Sequence, residues 1–224
     1  MNKRLTCIAS HVPEGLGLAD IGTDHGYLPV ELAKRSYPGN LIASDIRSGP
    51  LQAAQKSAKE AGLENRIRFR LCDGISPDDA NLVDTIVIAG MGGDTICGIL
   101  DRAEFCYDPR YTFLLQPMTR AEVLRYWLIN NEFGIEEEDL VEDGGILYSV
   151  FKARFGKKTV LNEAELFTGA FAMLRDHPLF PALLKQQTVR FQKMIAGLEQ
   201  SSDRTGRLRV LRAIQTQLEE MEEK

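Results

Sequence analysis

The chain has 224 residues, of which 44% are hydrophobic and 26% are charged, and its formal net charge is −5. This length allows one sizeable domain with a small appendage, and the composition is that of a soluble globular protein. No apolar run approaches the roughly 20 residues that a membrane helix needs. The two basic residues near the N-terminus precede no long apolar segment, so no secretory signal is expected either.

Short apolar runs alternate with helical patterns between residues 18 and 155. In chain order, strands are predicted at 18–22, 41–46, 67–72, 83–90 and 111–117. Helices are predicted between them at 26–36, 50–62, 94–103 and 120–133. The last two stretches, 135–145 and 146–155, predict a hairpin that turns at Asp143-Gly144-Gly145.

Repeated alternation of strand and helix predicts an α/β fold, a mostly parallel sheet with helices on both faces. The run at 83–90 is almost fully apolar and is therefore expected at the centre of the sheet. Five parallel strands followed by a hairpin are typical of the class I methyltransferase sheet, which is Rossmann-like. A plain dinucleotide-binding fold lacks that antiparallel hairpin.

Residues 157–224 have no strand pattern and are rich in helix formers, so we predict a methyltransferase domain at 1–156 and a small helical domain at 157–224. Apolar residues recur every seven positions in two runs, which are separated by a polar break at 201–206. Two antiparallel helices with a coiled-coil-like seam would explain this pattern. The residues that define the two runs are Leu184, Phe191 and Leu198, then Leu211 and Leu218.

The charge is unevenly distributed, because residues 157–224 hold 11 Lys and Arg against 9 Asp and Glu. Four arginines cluster there within nine positions: Arg204, Arg207, Arg209 and Arg212. Such a stripe can bind phosphate even on an acidic protein. A solvated helix face is the alternative, and composition alone favours it.

The four cysteines, Cys7, Cys72, Cys97 and Cys106, form no Cys-x-x-Cys pair. Their spacings match no zinc pattern, so we expect reduced core thiols in a cytosolic protein and no metal site.

Polar residues and glycines follow four of the predicted strands. In an open parallel sheet, ligands bind at the carboxyl ends of the strands. Glycines allow a ligand to approach the backbone, and a helix N-terminus favours a negative group. The residues at these ends are Asp20, Gly22, Thr23, Asp24, His25 and Gly26 after the first strand, Asp45 and Ile46 after the second, Asp73 and Gly74 after the third, and Gly90, Met91 and Gly92 after the fourth.

The chemistry of these ends favours an adenosine-containing cofactor. Asp45 lies 23 residues after Gly22, where an acid can bridge two ribose hydroxyls, and Asp73 could accept from an adenine amino group. The glycines do not follow the Gly-x-Gly-x-x-Gly pattern, which argues against NAD and FAD. Together the four ends fit S-adenosylmethionine.

The segments DIGTDHGYLP, ASDI, CDG, IAGMGG and LLQPM, in this order, resemble the bacterial tRNA (adenine-22-N1)-methyltransferases, the TrmK family. The likeness covers the whole chain, including the hairpin and the helical extension, which in that family is a coiled-coil domain thought to help grip tRNA. It implies methyl transfer from S-adenosylmethionine to N1 of an adenine in the D-arm region of tRNA. It also implies a cytoplasmic enzyme that acts as a monomer.

The resemblance also assigns roles to residues. The cofactor would contact Asp20, Gly22, Thr23, Gly26, Asp45, Ile46, Asp73, Gly74, Gly90 and Met91. The target base would face Asp24, His25, Tyr27, Met91, Gly92, Gln116 and Pro117, and the four tail arginines would contact tRNA.

The chemistry of adenine N1 agrees with this assignment. N1 carries a lone pair and no proton, so positioning and desolvation matter more than a strong base. The product ring is cationic, and a carboxylate would stabilise it, for which Asp24 is the candidate. Tyr27 could stack on a base that has left its own stack.

Structural roles are the alternatives for these residues. Asp24 could cap the following helix, His25 could bind a neighbouring strand's backbone, Tyr27 could be a core residue and Met91 could only pack under the cofactor. Two other functions stay open: a class I methyltransferase that acts on a small molecule or protein, and a non-catalytic nucleic-acid-binding relative.

Overall fold

The structure is a computed structural model that describes residues 2–199 and 205–223. Its seven strands are β1 Gly17–Ile21, β2 Asn40–Asp45, β3 Ile67–Leu71, β4 Thr85–Gly92, β5 Thr112–Thr119, β6 Phe133–Asp143 and β7 Ile146–Phe155. The α-helices are α1 Lys3–Ser10, α2 Tyr27–Lys34, α3 Ser48–Glu60, α4 Gly93–Arg102, α5 Ala121–Asn130, α6 Glu163–Thr168, α7 Phe171–Leu174, α8 Phe180–Glu199 and α9 Thr205–Glu222. Over the described ranges, every helix is too short or too polar to span a membrane.

The strands form one sheet in the order β3-β2-β1-β4-β5-β7-β6, with β4 in the middle. Strands β1 to β5 are parallel, and β7 pairs antiparallel with both β5 and β6. The hairpin turns at Gly144 and Gly145, which both have positive φ. The predicted class I methyltransferase sheet and its central strand are therefore confirmed.

Alternating side chains of the sheet build two apolar cores, as the period of a strand requires. Ile86 and Ile88 of β4 pack with residues of α4 and α5 on one face. Val87, between them, packs with residues of α1 and α2 on the other face. Because both faces are covered, a ligand can reach the sheet only at the ends of its strands, and in parallel sheets the carboxyl ends are the ones that bind ligands.

Helices α8 and α9 form an antiparallel pair at the end of the chain. Arg212 of α9 binds Glu199 at 2.7 Å, and Thr188 of α8 donates to Glu222 at 2.8 Å. The predicted heptad residues meet in a third apolar cluster, which also contains Leu140 of β6. The two predicted helices are confirmed, whereas the coiled-coil geometry of their seam stays a prediction.

A buried ion pair joins the helical tail to the sheet. The side chains of Arg125 on α5 and Glu138 on β6 are fully buried and form a salt bridge. Arg125 also donates to the Leu166 carbonyl at 2.7 Å, and Glu138 accepts from the Ala170 N–H at 3.2 Å. The short helices α6 and α7, which the sequence did not predict, are thereby fixed against β6.

The cysteines are all free, as predicted, but only two belong to the core. Cys97 and Cys106 are buried, and burial raises the pKa of the Cys106 thiol to about 12. Cys7 and Cys72 are partly exposed, so the prediction of a core thiol is wrong for these two.

Candidate active site

A pocket of about 300 Å³ opens at the carboxyl edge of β1, β2 and β4. It collects eight of the residues that the sequence predicted: Asp20, Gly22, Thr23, Asp24, Tyr27, Asp45, Gly90 and Met91. A larger cavity of about 660 Å³ lies on α7, α8 and α9, where none of the predicted site residues is found. Chemistry therefore selects the smaller pocket, since parallel sheets bind ligands at this edge.

The loop after β1 depends on left-handed backbone at three positions. Gly22, Asp24 and Gly26 have φ values of 71°, 52° and 68°. A Cβ on Gly22 would lie 2.0 Å from Met91 Cε, the end of a flexible side chain that can move away, so it is the left-handed backbone that favours glycine at this position. Gly26 is the N-cap of α2, and therefore the alternative that Asp24 caps this helix is wrong.

Asp20 is the buried acid at the end of β1. Its side chain accepts a hydrogen bond from the Thr23 hydroxyl at 2.6 Å. Burial raises the pKa of Asp20 from 3.8 to about 6, and the nearby charge of Asp45 adds to this effect. Burial disfavours the charged form of this carboxylate, and a positively charged group bound beside it would favour that form.

Asp45 is the corresponding acid at the end of β2, and it is only 4% exposed. Its Oδ1 accepts from the Arg47 backbone N–H at 2.8 Å. This bond fixes the carboxylate at the pocket wall, where it can accept from ribose hydroxyls as the sequence predicted.

Asp24, His25 and Tyr27 form the exposed rim of the loop. The His25 and Tyr27 rings are stacked with centroids 5.3 Å apart, and His25 Nε2 lies 3.8 Å from Asp24 Oδ2. Tyr27 is 54% exposed, so the alternative that it is a core residue is wrong. An exposed aromatic surface beside a carboxylate suits a planar base that becomes cationic.

Several predicted residues lie outside the pocket lining. Asp73 is paired with Arg102 at 3.4 Å, and Gly74 lines a neighbouring groove with it. Gln116 is fully buried, and its Nε2 donates to the Pro117 carbonyl at 2.7 Å, so this side chain is engaged inside the protein. Five further predicted residues lie near the edge without lining the pocket: His25, Gly26, Ile46, Gly92 and Pro117.

Helix α1 and its N-cap form one wall of the pocket, and the sequence analysis did not predict these residues as part of the site. Asn2, Arg4 and Leu5 line the pocket. Arg4 donates to Gln116 Oε1 at 2.6 Å and lies 3.5 Å from the Asp143 carboxylate. One sequence signal for this helix was available, because asparagine at position 2 is a preferred N-cap residue. In the structure Asn2 has this role, and its side chain accepts from the Leu5 N–H at 3.0 Å.

The tail arginines are only partly described. Arg204 lies outside the described residues. Arg207, Arg209 and Arg212 are exposed on α9, and Arg212 is bound to Glu199. Exposure is compatible with either of the predicted roles, a phosphate-binding stripe or a solvated face.

The pKa of Asp20 gives a stability prediction for the ligand-free protein. An acid whose pKa is raised on folding contributes stability that is present below 3.8 and lost as the pH rises through about 6. We therefore expect Asp20→Asn to be more stable than the wild type above pH 6, by up to ~3 kcal/mol. Urea unfolding across this range tests it, and a difference that does not change with pH would contradict it.

Comparison with known proteins places the chain in a family. The methyltransferase domain family matches residues 1–151. The tRNA (adenine(22)-N(1))-methyltransferase of Bacillus subtilis is 28% identical over 228 residues, which cover 100% of this chain and 96% of that protein. A putative tRNA methyltransferase of Mycoplasma pneumoniae is 34% identical over 154 residues, 67% of this chain and 70% of that protein.

A solved structure extends the comparison to three dimensions. The putative tRNA (m1A22) methyltransferase of Streptococcus pneumoniae, in complex with S-adenosyl-L-methionine, has a TM-score of 0.81 and 30% identity, covering 98% of each chain. The sheet order, the hairpin edge and the acid-lined pocket define a class I methyltransferase. The chain belongs to the methyltransferase domain family, and within it the resemblance to the tRNA (adenine-22-N1)-methyltransferases is confirmed over the full length.

Proposed function

We propose that this protein transfers the methyl group of S-adenosylmethionine to N1 of adenine 22 in the D-arm region of tRNA. The observation that carries the proposal is the pocket at the carboxyl edge, where Asp20, Asp45 and the Gly22 loop meet. It is supported by the tRNA methyltransferase relative that this chain matches over its full length. The cofactor follows from the same edge and from the S-adenosylmethionine complex of the streptococcal relative.

The residues of the pocket fit this cofactor. Asp45 is placed to accept from ribose hydroxyls, and a Cβ on Gly90 would meet no atom within 4 Å, so this backbone is open to a ligand. Asp20 offers a buried negative charge to the cationic amino acid end, and Arg4, which is paired with Gln116 and Asp143, forms part of the pocket wall. When bound, S-adenosylmethionine supplies an electrophilic methyl group.

The rim residues would position the adenine. The exposed Tyr27 ring provides a stacking surface for a base that has left its helix. The Asp24 carboxylate, beside it, would stabilise the positive charge that develops on the ring as N1 is alkylated. Since N1 carries no proton, the site needs no strong base, and positioning of the ring is the main requirement.

The helical tail is proposed as the tRNA-binding part of the chain, residues 157–224, beside a methyltransferase domain at 1–156. Arg207 and Arg209 are exposed near the start of α9 and can reach phosphate oxygens. We further propose that the enzyme acts as a monomer in the cytoplasm, where unmodified tRNA is found.

A double variant, Arg207→Ala with Arg209→Ala, tests the role of the tail. We expect weaker tRNA binding and a salt dependence whose slope falls by about one for each lost phosphate contact. Cofactor affinity should not change. The control is Arg35→Ala, since Arg35 is also an exposed arginine but is paired with Glu31 at the C-terminal end of α2. An unchanged salt slope in the double variant would assign the two arginines to a solvated face.

The acceptor class is tested by offering several acceptors to the same preparation. Labelled S-adenosylmethionine is supplied with unmodified tRNA, with total protein and with a small-molecule extract. Label in tRNA alone supports the proposal. Label in protein or small molecules identifies another class I methyltransferase, and cofactor binding without label transfer identifies a non-catalytic relative.

A further inference from the structure

Three potential metal ligands converge on the side of the molecule where α1 packs against β6. The ligand atoms of Cys7, His11 and Asp139 all lie within 4.8 Å of one another. Asp139 Oδ2 is 3.3 Å from Cys7 Sγ and 2.8 Å from His11 Nε2. The cluster is separate from the pocket lining described above.

Two further residues, Glu137 and His177, contact the atoms of His11 and Asp139 that face away from the cluster. His11 Nδ1 lies 3.3 Å from Glu137 Oε2, which leaves Nε2 directed at Asp139. His177, in the loop before α8, places Nε2 3.0 Å from the second oxygen of Asp139, Oδ1. Both contacts are common around metal sites. A histidine ligand usually donates its other ring N–H to a carboxylate, and a carboxylate ligand usually accepts a hydrogen bond at its free oxygen.

The spacing suits a tetrahedral ion. Cys7 lies in α1, and His11, four residues later, is the C-cap of this helix with helical backbone angles, so the two side chains lie on one face. Bonds of the length that zinc forms with sulfur and nitrogen separate neighbouring ligand atoms by about 3.3–3.6 Å. The separations of 2.8 and 3.3 Å from Asp139 Oδ2 need a small outward shift to admit an ion, and the Cys7 and His11 ligand atoms lie within 4.8 Å of each other.

The donor set selects among metals. A thiolate and an imidazole favour zinc over magnesium or calcium, which prefer oxygen ligands. The three side chains and His177 are half-buried, with Asp139 29% exposed, so solvent reaches the site only partly. Water can occupy the remaining coordination position.

We propose that Cys7, His11 and Asp139 bind one Zn²⁺ ion, with Glu137 and His177 as positioning residues. Binding replaces the Cys7 S–H bond by a Zn–S bond and releases the proton to solvent. The ion would join α1, whose residues Asn2, Arg4 and Leu5 line the active-site pocket, to the edge strand β6. Because His177 contacts the ligand Asp139, the ion would also stabilise the position of the loop before α8.

No sequence pattern indicates this site, because Cys7 and Asp139 are 132 residues apart. Zinc patterns are recognised by short spacings, and here only Cys7 and His11, at the C-terminal end of α1, are close in sequence. The remaining ligand comes from the hairpin that closes the sheet.

The test uses the full-length protein stripped with a chelator and titrated with Zn²⁺ alone, followed by Co²⁺ as a spectroscopic probe. We expect one zinc per chain, and a cobalt complex with the thiolate charge-transfer band and the strong visible bands of a tetrahedral site. The unfolding temperature of the wild type should rise with added zinc. Cys7→Ser and His11→Gln should weaken zinc binding by at least about 100-fold, more than outer-sphere changes cause.

Cys72→Ser is the matched control, because Cys72 is also a partly exposed free thiol, and its thiol contacts the Gly74 carbonyl rather than a histidine. It should bind zinc like the wild type. Sub-stoichiometric zinc, a cobalt spectrum without the thiolate band, or equal binding by Cys7→Ser would each overturn the proposal and leave a hydrogen-bond cluster. The wild type with and without zinc decides the question even if a variant folds poorly.

Discussion

Asp24→Asn is expected to lower kcat by about 100- to 1,000-fold, the range seen when one electrostatic contact to a transition state is lost. Affinity for S-adenosylmethionine should stay within a few-fold. Asparagine keeps the size of the side chain and tolerates the left-handed backbone at this position, where φ is 52°. The substitution therefore removes the negative charge and little else. Single-turnover methylation and calorimetry measure the two quantities separately.

Glu132→Gln provides the control for this variant. Glu132 is also an exposed acid in left-handed backbone, with φ of 61°, but it precedes β6 at the opposite edge of the sheet. It should retain normal turnover. Near-normal turnover in Asp24→Asn would remove the carboxylate from the mechanism and leave His25 and Tyr27 as the candidate residues of the rim.

Arg125→Ala is expected to lower the free energy of unfolding by about 3–5 kcal/mol, because it leaves the buried Glu138 carboxylate without its partner. The same change removes the donors to Ser149 Oγ and the Leu166 carbonyl. Urea denaturation of the ligand-free protein measures the effect. The surface pair of the exposed Arg35 and the partly exposed Glu31 gives the comparison, since Arg35→Ala should cost no more than about 1 kcal/mol.

A loss below about 1 kcal/mol in Arg125→Ala would mean that the pair relaxes toward solvent and does not anchor the tail.

The buried pair also bears on the proposed domain boundary between residues 156 and 157. Leu166 and Ala170 lie beyond this boundary yet bind the pair, so a protein cut at 156 would expose two charges that the fold buries.

The sheet and most of its binding edge could be predicted from sequence because both depend on local pattern. Four of the five parallel strands contain a short apolar run, and β3 alternates apolar residues with arginines. A glycine or aspartate at the end of such a strand must reach the same edge as its neighbours. Asp20 and Asp45 were found in this way, and the pocket brings them together.

Other parts depend on contacts between distant residues, which no local pattern shows. Arg4 reaches the site through Gln116, 112 residues away. Arg125 lies in an amphipathic helix and would be expected in solvent, but its partner on β6 makes burial possible. The pairing of Asp73 with Arg102 likewise follows only from the packing of α4 against the loop after β3.

The most direct test of the proposed function compares two transcripts of one tRNA that differ at a single position. One carries adenine at position 22 and the other carries guanine, and both are incubated with labelled S-adenosylmethionine. We expect label only in the first transcript, recovered as 1-methyladenosine on digestion. Equal label in both transcripts, or label recovered as another nucleoside, would contradict the assignment of adenine 22 N1 as the acceptor.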